Sequence, residues 1–174
     1  MEDAQVKRDE SPIIICDASV LIDYIKSEPR VLLLTSKNIG RLHTPAQVLG
    51  EVKQLDSKTA KRLGIVIIQP VLSQLKEASI RGGPLSRSDK LVFIMSRDAG
   101  CTCWTSDHSL RKRCLDEGLN VLWGLEMLII LCEKGHLSKI GATRVARLVR
   151  SSGAFITDEV IANFEAKINK INKR

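Results

Sequence analysis

The sequence predicts an α/β sandwich built on a mostly parallel sheet. Two observations lead there. Short β-branched runs such as Ile13-Ile14-Ile15 and Ile65-Val66-Ile67-Ile68 alternate with helical apolar periodicity. Hydrophobic residues make up 44% of the chain but aromatics only 3%, so aliphatic side chains must fill the core, as where helices cover a buried parallel sheet.

In chain order, Pro12 to Cys16 reads as a buried strand ending at Asp17, and Ala18 to Ile25 follows with helical spacing through Val20, Leu21 and Tyr24. A second helix covers Pro29 to Lys37, with Pro29 near its first turn. Leu42-His43 is a very short strand. Thr44-Pro45 reads as a helix start, Thr44 as N-cap and Pro45 in the first helical position, and that helix runs to about Leu55 with Val48 and Val52 facing the core. Ser57 to Leu63 is a short helix closed by Gly64, and Ile65 to Ile68 is a strong buried strand. Val71 to Ile80 is an amphipathic helix stopped by Gly82-Gly83-Pro84. Ser86 opens a helix carrying Leu91, Val92, Ile94 and Met95 as far as Gly100. Cys101 to Trp104 is a strand, Asp107 to Glu117 a helix, and Leu119 to Leu122 a last strand. Three helical segments remain: Leu125 to Lys134, Ile140 to Arg150, and Asp158 to Ile171. The expected organisation is a flexible N-terminus (1–11), a sandwich domain (12–135) and a basic helical extension (136–174).

Lys and Arg number 27 against 20 Asp and Glu, for a net charge of +7 and a pI near 9.3. A basic surface attracts polyanions, so nucleic acid is the first partner to expect. Few aromatics argue against a base-stacking platform and favour contact with the phosphate backbone. The five Cys are odd in number, form no CxxC pair and sit mostly in apolar runs, which fits reduced, structural thiols and a cytoplasmic location. Met1 to Glu10 has no apolar stretch of the kind a secretory leader carries, and no run of about 18 apolar residues predicts a membrane span.

In an open parallel sheet, functional groups collect beyond the carboxyl ends of the strands. Asp17 closes the first strand, and Asp107 lies just past the Cys101 to Trp104 strand. In a doubly wound order those strands are neighbours. Two carboxylates placed together are costly without a positive charge between them. Clustered hard oxygens suit Mg²⁺ or Mn²⁺. Each acid also has a plain structural reading. Asp17 and Asp107 each precede a helix and fit as N-caps. Asp89 lies three residues after Ser86, as a capping-box acid does. Glu51 alone reads as a solvated helix residue.

The ordered set of four resembles a PIN domain. Ile13-Ile14-Ile15-Cys16-Asp17-Ala18-Ser19-Val20-Leu21-Ile22 is similar to that family's opening strand, Asp and helix. Thr44-Pro45-Ala46-Gln47-Val48-Leu49-Gly50-Glu51-Val52 resembles its second motif, in which a helix presents the Glu. Leu85-Ser86-Arg87-Ser88-Asp89 resembles the third, and Trp104-Thr105-Ser106-Asp107-His108-Ser109-Leu110 the fourth. The resemblance covers about Pro12 to Gly135. It implies a three-layer α/β/α sandwich and metal-dependent hydrolysis of RNA phosphodiesters by an endoribonuclease, either the toxin of a toxin–antitoxin pair or an RNA-processing enzyme. Asp17 and Asp107 would contact Mg²⁺ or Mn²⁺ directly. Asp89 would bind it or act through water, Glu51 would be a ligand or a general base, and Ser19 and Thr105 would orient carboxylates. RNA, an antitoxin protein and a second copy of the chain are the partners it implies.

The remaining polar groups read more plainly. Asp23, two turns beyond Asp17, is expected to face solvent, and His108 to be a surface residue. Arg111, Lys112 and Arg113, like Lys167, Lys170, Lys173 and Arg174, are either phosphate contacts or solvated helix faces. The chief alternative is a catalytically silent fold of the same kind that binds RNA or protein. A phosphatase of the receiver type would want Asp-x-Asp after the first strand, where this chain has Asp17-Ala18-Ser19. No GxxxxGK, GxGxxG or HExxH motif supports nucleotide hydrolysis, dinucleotide binding or zinc proteolysis.

Overall fold

The structure is a computed structural model that describes residues 11–80 and 82–171. The segment 1–11 lies outside the described residues except for Ser11, and so do Lys173 and Arg174. The elements are β1 (Ile13–Cys16), α1 (Ala18–Ser27), α2 (Arg30–Asn38), β2 (Arg41–Pro45), α3 (Ala46–Leu49), α4 (Ser57–Arg62), β3 (Ile65–Ile68), α5 (Leu72–Ala78), α6 (Arg87–Ala99), β4 (Thr102–Thr105), α7 (His108–Asp116), β5 (Val121–Trp123), α8 (Glu126–Glu133), α9 (Lys139–Ser151) and α10 (Asp158–Lys170).

The five strands form one sheet in the order β3-β2-β1-β4-β5, and every pairing is parallel. The sheet is thus wholly parallel where the sequence predicted mostly parallel. Ile14, Ile15 and Cys16 are buried because β1 is central, with β2 on one side and β4 on the other. Helices α5, α6 and α7 pack together as one layer, and α1, α2 and α8 belong to the other, with α9 and α10 laid against α1 and α8. This is the expected α/β/α sandwich. The chain winds outward from β1 to β3 and then returns to β4 beside β1, so its direction reverses between β1 and β4. A crevice beyond the strand ends opens at such a point.

Short polar side chains start most helices. Asp56 accepts from Thr59 N (2.7 Å), Ser138 from Gly141 N (3.0 Å), and Asp17, Ser86, Asp107 and Thr157 act alike at their own helices. At Gly64, φ is +74° and a Cβ would stand 2.2 Å from Ser36 Oγ, so the turn into β3 demands glycine.

One expected element is different. Thr44 and Pro45 end a five-residue strand rather than begin a helix. Thr44 lies within β2, where its Oγ1 donates across the sheet to Cys16 O (3.1 Å), and α3 begins after Pro45 with no side-chain cap. The following helix, α3, has only four residues and stops at Gly50, a poor helix former. Beyond it the chain makes tight turns, Glu51 N to Val48 O (3.0 Å) and Val52 N to Leu49 O (3.2 Å). Val48 and Val52 are buried as expected, while Glu51 lies exposed in the turn instead of on a helix.

The C-terminal helices share the hydrophobic cluster of the sandwich through Val145, Val149, Ile161, Phe164 and Ile168. Phe164→Ala should therefore destabilise the whole chain by about 3–5 kcal/mol. Urea unfolding should still follow one transition. A second transition that leaves the sheet intact would mean that the extension folds separately.

Candidate active site

The carboxyl end of β1 delivers Asp17 to the crevice, where its side chain is 1% exposed. Asp17 Oδ1 accepts from Val20 N (3.0 Å) and caps α1. Ser19 Oγ lies 2.9 and 2.8 Å from the two carboxylate oxygens, and Thr105 Oγ1 donates to Oδ2 (2.5 Å). Thr105 is the last residue of β4, so this bond crosses between the two central strands. Thr105 Oγ1 also accepts from Asp107 N (2.9 Å), and Ser19 Oγ accepts from Ser106 N (2.9 Å). Asp17, Ser19, Thr105 and Asp107 thus form one hydrogen-bonded unit. Asp107 uses Oδ1 to cap α7 through Leu110 N (2.7 Å).

Glu51 and Asp89 form a second unit. Ser88 Oγ donates to Glu51 Oε1, and it lies 3.0 Å from Ser86 Oγ, which donates to Asp89 Oδ2 (2.7 Å). Ser86 N also donates to Asp89 Oδ2 (3.1 Å), completing the capping box expected at the start of α6. In the sequence Ser86 reads as the helix start within the third motif, and Ser88 carries no role of its own. The signal was there in Ser86-Arg87-Ser88-Asp89, where residues two apart flank the start of one helix.

Burial drives the Asp17 carboxyl upward, to about 7. The hydrogen bonds from Thr105, Val20 and Ser19 oppose the rise, and the nearby Asp89 charge adds to it. Among the described residues, none of the hydrogen-bond partners of Asp17 is a cation. Asp23 departs from expectation, because it is partly buried and not turned to solvent. Burial raises its pKa too, against an opposing hydrogen bond from Ser106. His108 is exposed, as expected, and meets Trp123 edge-on at 6.4 Å. Lys112 and Arg113 pair along their own helix with Asp116 (2.7 Å) and Glu117 (2.9 Å), as a solvated face does. Arg111 instead stacks on Trp123 at 5.0 Å.

The floor beside the site is fixed by one carbonyl. Gly124 O accepts from both Tyr24 OH (3.0 Å) and Trp104 Nε1 (3.1 Å), and a Cβ on Gly124 would come within 2.8 Å of Ser106 Oγ. Any larger residue there would make the Ser106 hydroxyl turn away.

As to a metal, the donors present are hard carboxylate oxygens, which suit Mg²⁺ or Mn²⁺ and not a soft thiophilic ion. Asp17 fits as a ligand, being a buried carboxyl with no cationic hydrogen-bond partner among the described residues, and the main-chain N–H of Asp107 is tied to it through Thr105. Among the described residues, however, no three His, Cys, Asp or Glu side chains converge as a ready-made metal-binding group.

No protein-family model matches the chain, and neither does any curated protein. Among solved structures it is similar to a PilT N-terminus domain protein from the hyperthermophilic archaeon Sulfolobus solfataricus. That likeness has a TM-score of 0.49 and 12% identity, and it spans 66% of this chain and 89% of the other. Among the described residues no helix is long and apolar enough to cross a membrane.

The raised carboxyl makes a pH-dependent prediction for the metal-free protein. Between the ordinary value of 3.8 and about 7, the folded chain holds a proton on Asp17 that the unfolded chain has lost. Stability therefore falls as pH rises through that window. Asp17→Asn removes the buried charge and should raise the melting temperature at alkaline pH, by about 2–4 °C for each kcal/mol relieved. The gain should shrink towards the acid end of the window. An equal or lower melting temperature for the variant at alkaline pH would show that the carboxylate is already compensated.

Proposed function

We propose that the chain is a metal-dependent endoribonuclease that hydrolyses RNA phosphodiester bonds at the Asp17–Asp107 site. The observation that carries this reading is the position of Asp17. It is a buried carboxylate at the reversal point of a parallel sheet, tied through Thr105 to the main-chain N–H of Asp107 and bonded, among the described residues, to neutral donors. Such a placement costs stability unless a cation is bound there. The four PIN-like motifs and the charge of +7 point the same way.

A bound Mg²⁺ or Mn²⁺ would supply a Lewis acid for the phosphate and a water of lowered pKa. The chain's own groups do the rest. Asp17 and Asp107 hold the cation, and Thr105 and Ser19 aim the Asp17 oxygens. Asp89 completes the donor set directly or through water. Glu51, exposed at the rim, is the further ligand or the base that takes a proton from the attacking water. The chain would then be a toxin whose partner is an antitoxin, or an RNA-processing enzyme, and would act as a homodimer.

One observation favours a second reading, a silent RNA- or protein-binding module. Asp17, Asp89 and Asp107 all serve helix starts, so each has a structural role without any metal.

Labelled single-stranded and structured RNAs incubated with Mn²⁺, Mg²⁺ or EDTA separate the two. Metal-dependent cleavage is expected, lost in Asp17→Asn and reduced about 10–100-fold in Thr105→Val. Binding without cleavage under every condition would establish the silent module. Millimolar Mn²⁺ or Mg²⁺ should also raise the melting temperature of the parent chain but not that of Asp17→Asn. Equal shifts in both would place the cation elsewhere.

A further inference from the structure

Next to the Asp17 unit the chain encloses a second cavity, of about 300 Å³. One wall comes from α1 and the β4 exit, with Asp23, Ser19 and Ser106. The floor is the β5 exit, with Trp123. The remaining side is the 153–156 loop between α9 and α10, which carries Phe155. The volume lies at the lower end of pockets that take small planar ligands, about 300–1,000 Å³.

Its lining is unusual for this chain. Phe155 is one of three phenylalanines and is fully exposed, while Phe93 and Phe164 are buried. Trp123, one of two tryptophans, lines the same space and already has a guanidinium stacked on it. An apolar ring held in water at a cavity mouth is a surface for another ring. The same lining holds a partly buried carboxylate, Asp23, which accepts from the Ser106 side chain and keeps lone pairs on both oxygens for a pair of parallel N–H bonds. The cavity also opens one hydroxyl away from the proposed catalytic acid, since Ser19 Oγ contacts Asp17 and accepts from Ser106 N. The scarcity of aromatics argues against an extended stacking platform. It does not argue against one pocket into which two of the few are gathered.

We propose that this cavity is a guanine-binding pocket, in which Phe155 and Trp123 stack on the base and Asp23 accepts from its N1–H and N2–H groups. Guanine is the one RNA base that presents two adjacent N–H donors on its pairing edge, which matches a carboxylate. The inference rests on the ribonuclease reading, because the pocket would hold one base of the strand whose phosphate lies at Asp17. The C-terminal extension, which supplies Phe155, would thereby be a specificity element.

The test uses the full chain in EDTA and so needs no cleavage. GMP, AMP, CMP and UMP are titrated in turn while tryptophan emission is followed. Trp104 is fully buried, so Trp123 supplies the response, and Trp123→Phe serves as the control. GMP should quench saturably, with half-saturation at least tenfold below that of CMP and UMP. Phe155→Ala, at a fully exposed position, should weaken GMP about tenfold. Asp23→Asn should abolish the preference for GMP while the other three nucleotides change little. No saturable quenching by any nucleotide, or equal quenching by all four that neither variant alters, would overturn the proposal. A protein that cleaves RNA yet shows no GMP response refutes the pocket alone. One that binds GMP selectively but never cleaves refutes the nuclease reading and keeps the pocket.

Discussion

The bond from Thr105 Oγ1 to Asp17 Oδ2 is the contact on which the site depends. It joins the ends of two strands that are 88 residues apart in sequence and adjacent only because the sheet reverses direction between them. Without that adjacency Asp17 would be a helix cap at a strand end and Asp107 another. With it, Thr105 joins the Asp17 carboxylate to the main-chain N–H of Asp107, and a carboxylate is held out of water with no counter-charge from its hydrogen-bond partners among the described residues. Burial of that kind is expensive. The hydroxyls of Ser19 and Thr105 and the Val20 amide offset only part of the cost, which is why the carboxyl stays well above its ordinary value.

The acids do two jobs at once. Asp17, Asp89 and Asp107 each accept from a backbone amide at a helix start, and that bond fixes where the carboxylate stands. A helix N-terminus favours negative charge, so the same placement that orders α1, α6 and α7 also keeps anions at the crevice. Glu51 is the exception. It stands exposed in a turn, where among the described residues Ser88 donates to its carboxylate.

The C-terminal extension is tied to the site through packing. Helices α9 and α10 bury Val149, Ile161 and Phe164 in the common core, and the loop between them then comes to lie beside the β5 exit. The Gly124 carbonyl, which accepts from both Tyr24 and Trp104, sets the position of that exit. The extension thus borders the cavity beside the crevice through residues 153–156.

Much of this was legible in the residues alone. The β-branched runs and helical periodicities marked the strands and most helices, because a buried parallel strand and an amphipathic helix impose different spacings. The capping roles of Asp17, Asp89 and Asp107 could be read from their places before apolar periodic segments. The sequence did not reveal that Thr44 and Pro45 continue a strand. A Thr-Pro pair is a sound helix start locally, and pairing with Ile67 and Ile68 of β3, together with the bond to Cys16 O, overrides it. Asp23 was misjudged for a similar reason: helical spacing places it on a face, but the β4 exit, far along the chain, decides whether that face meets water. The sequence by itself determined the class of fold and the order of the acids, because both depend on local spacing. Only the tertiary structure decided which acids share a hydrogen-bond network, and which aromatic rings border one cavity, because those contacts join segments that meet only when the sheet closes.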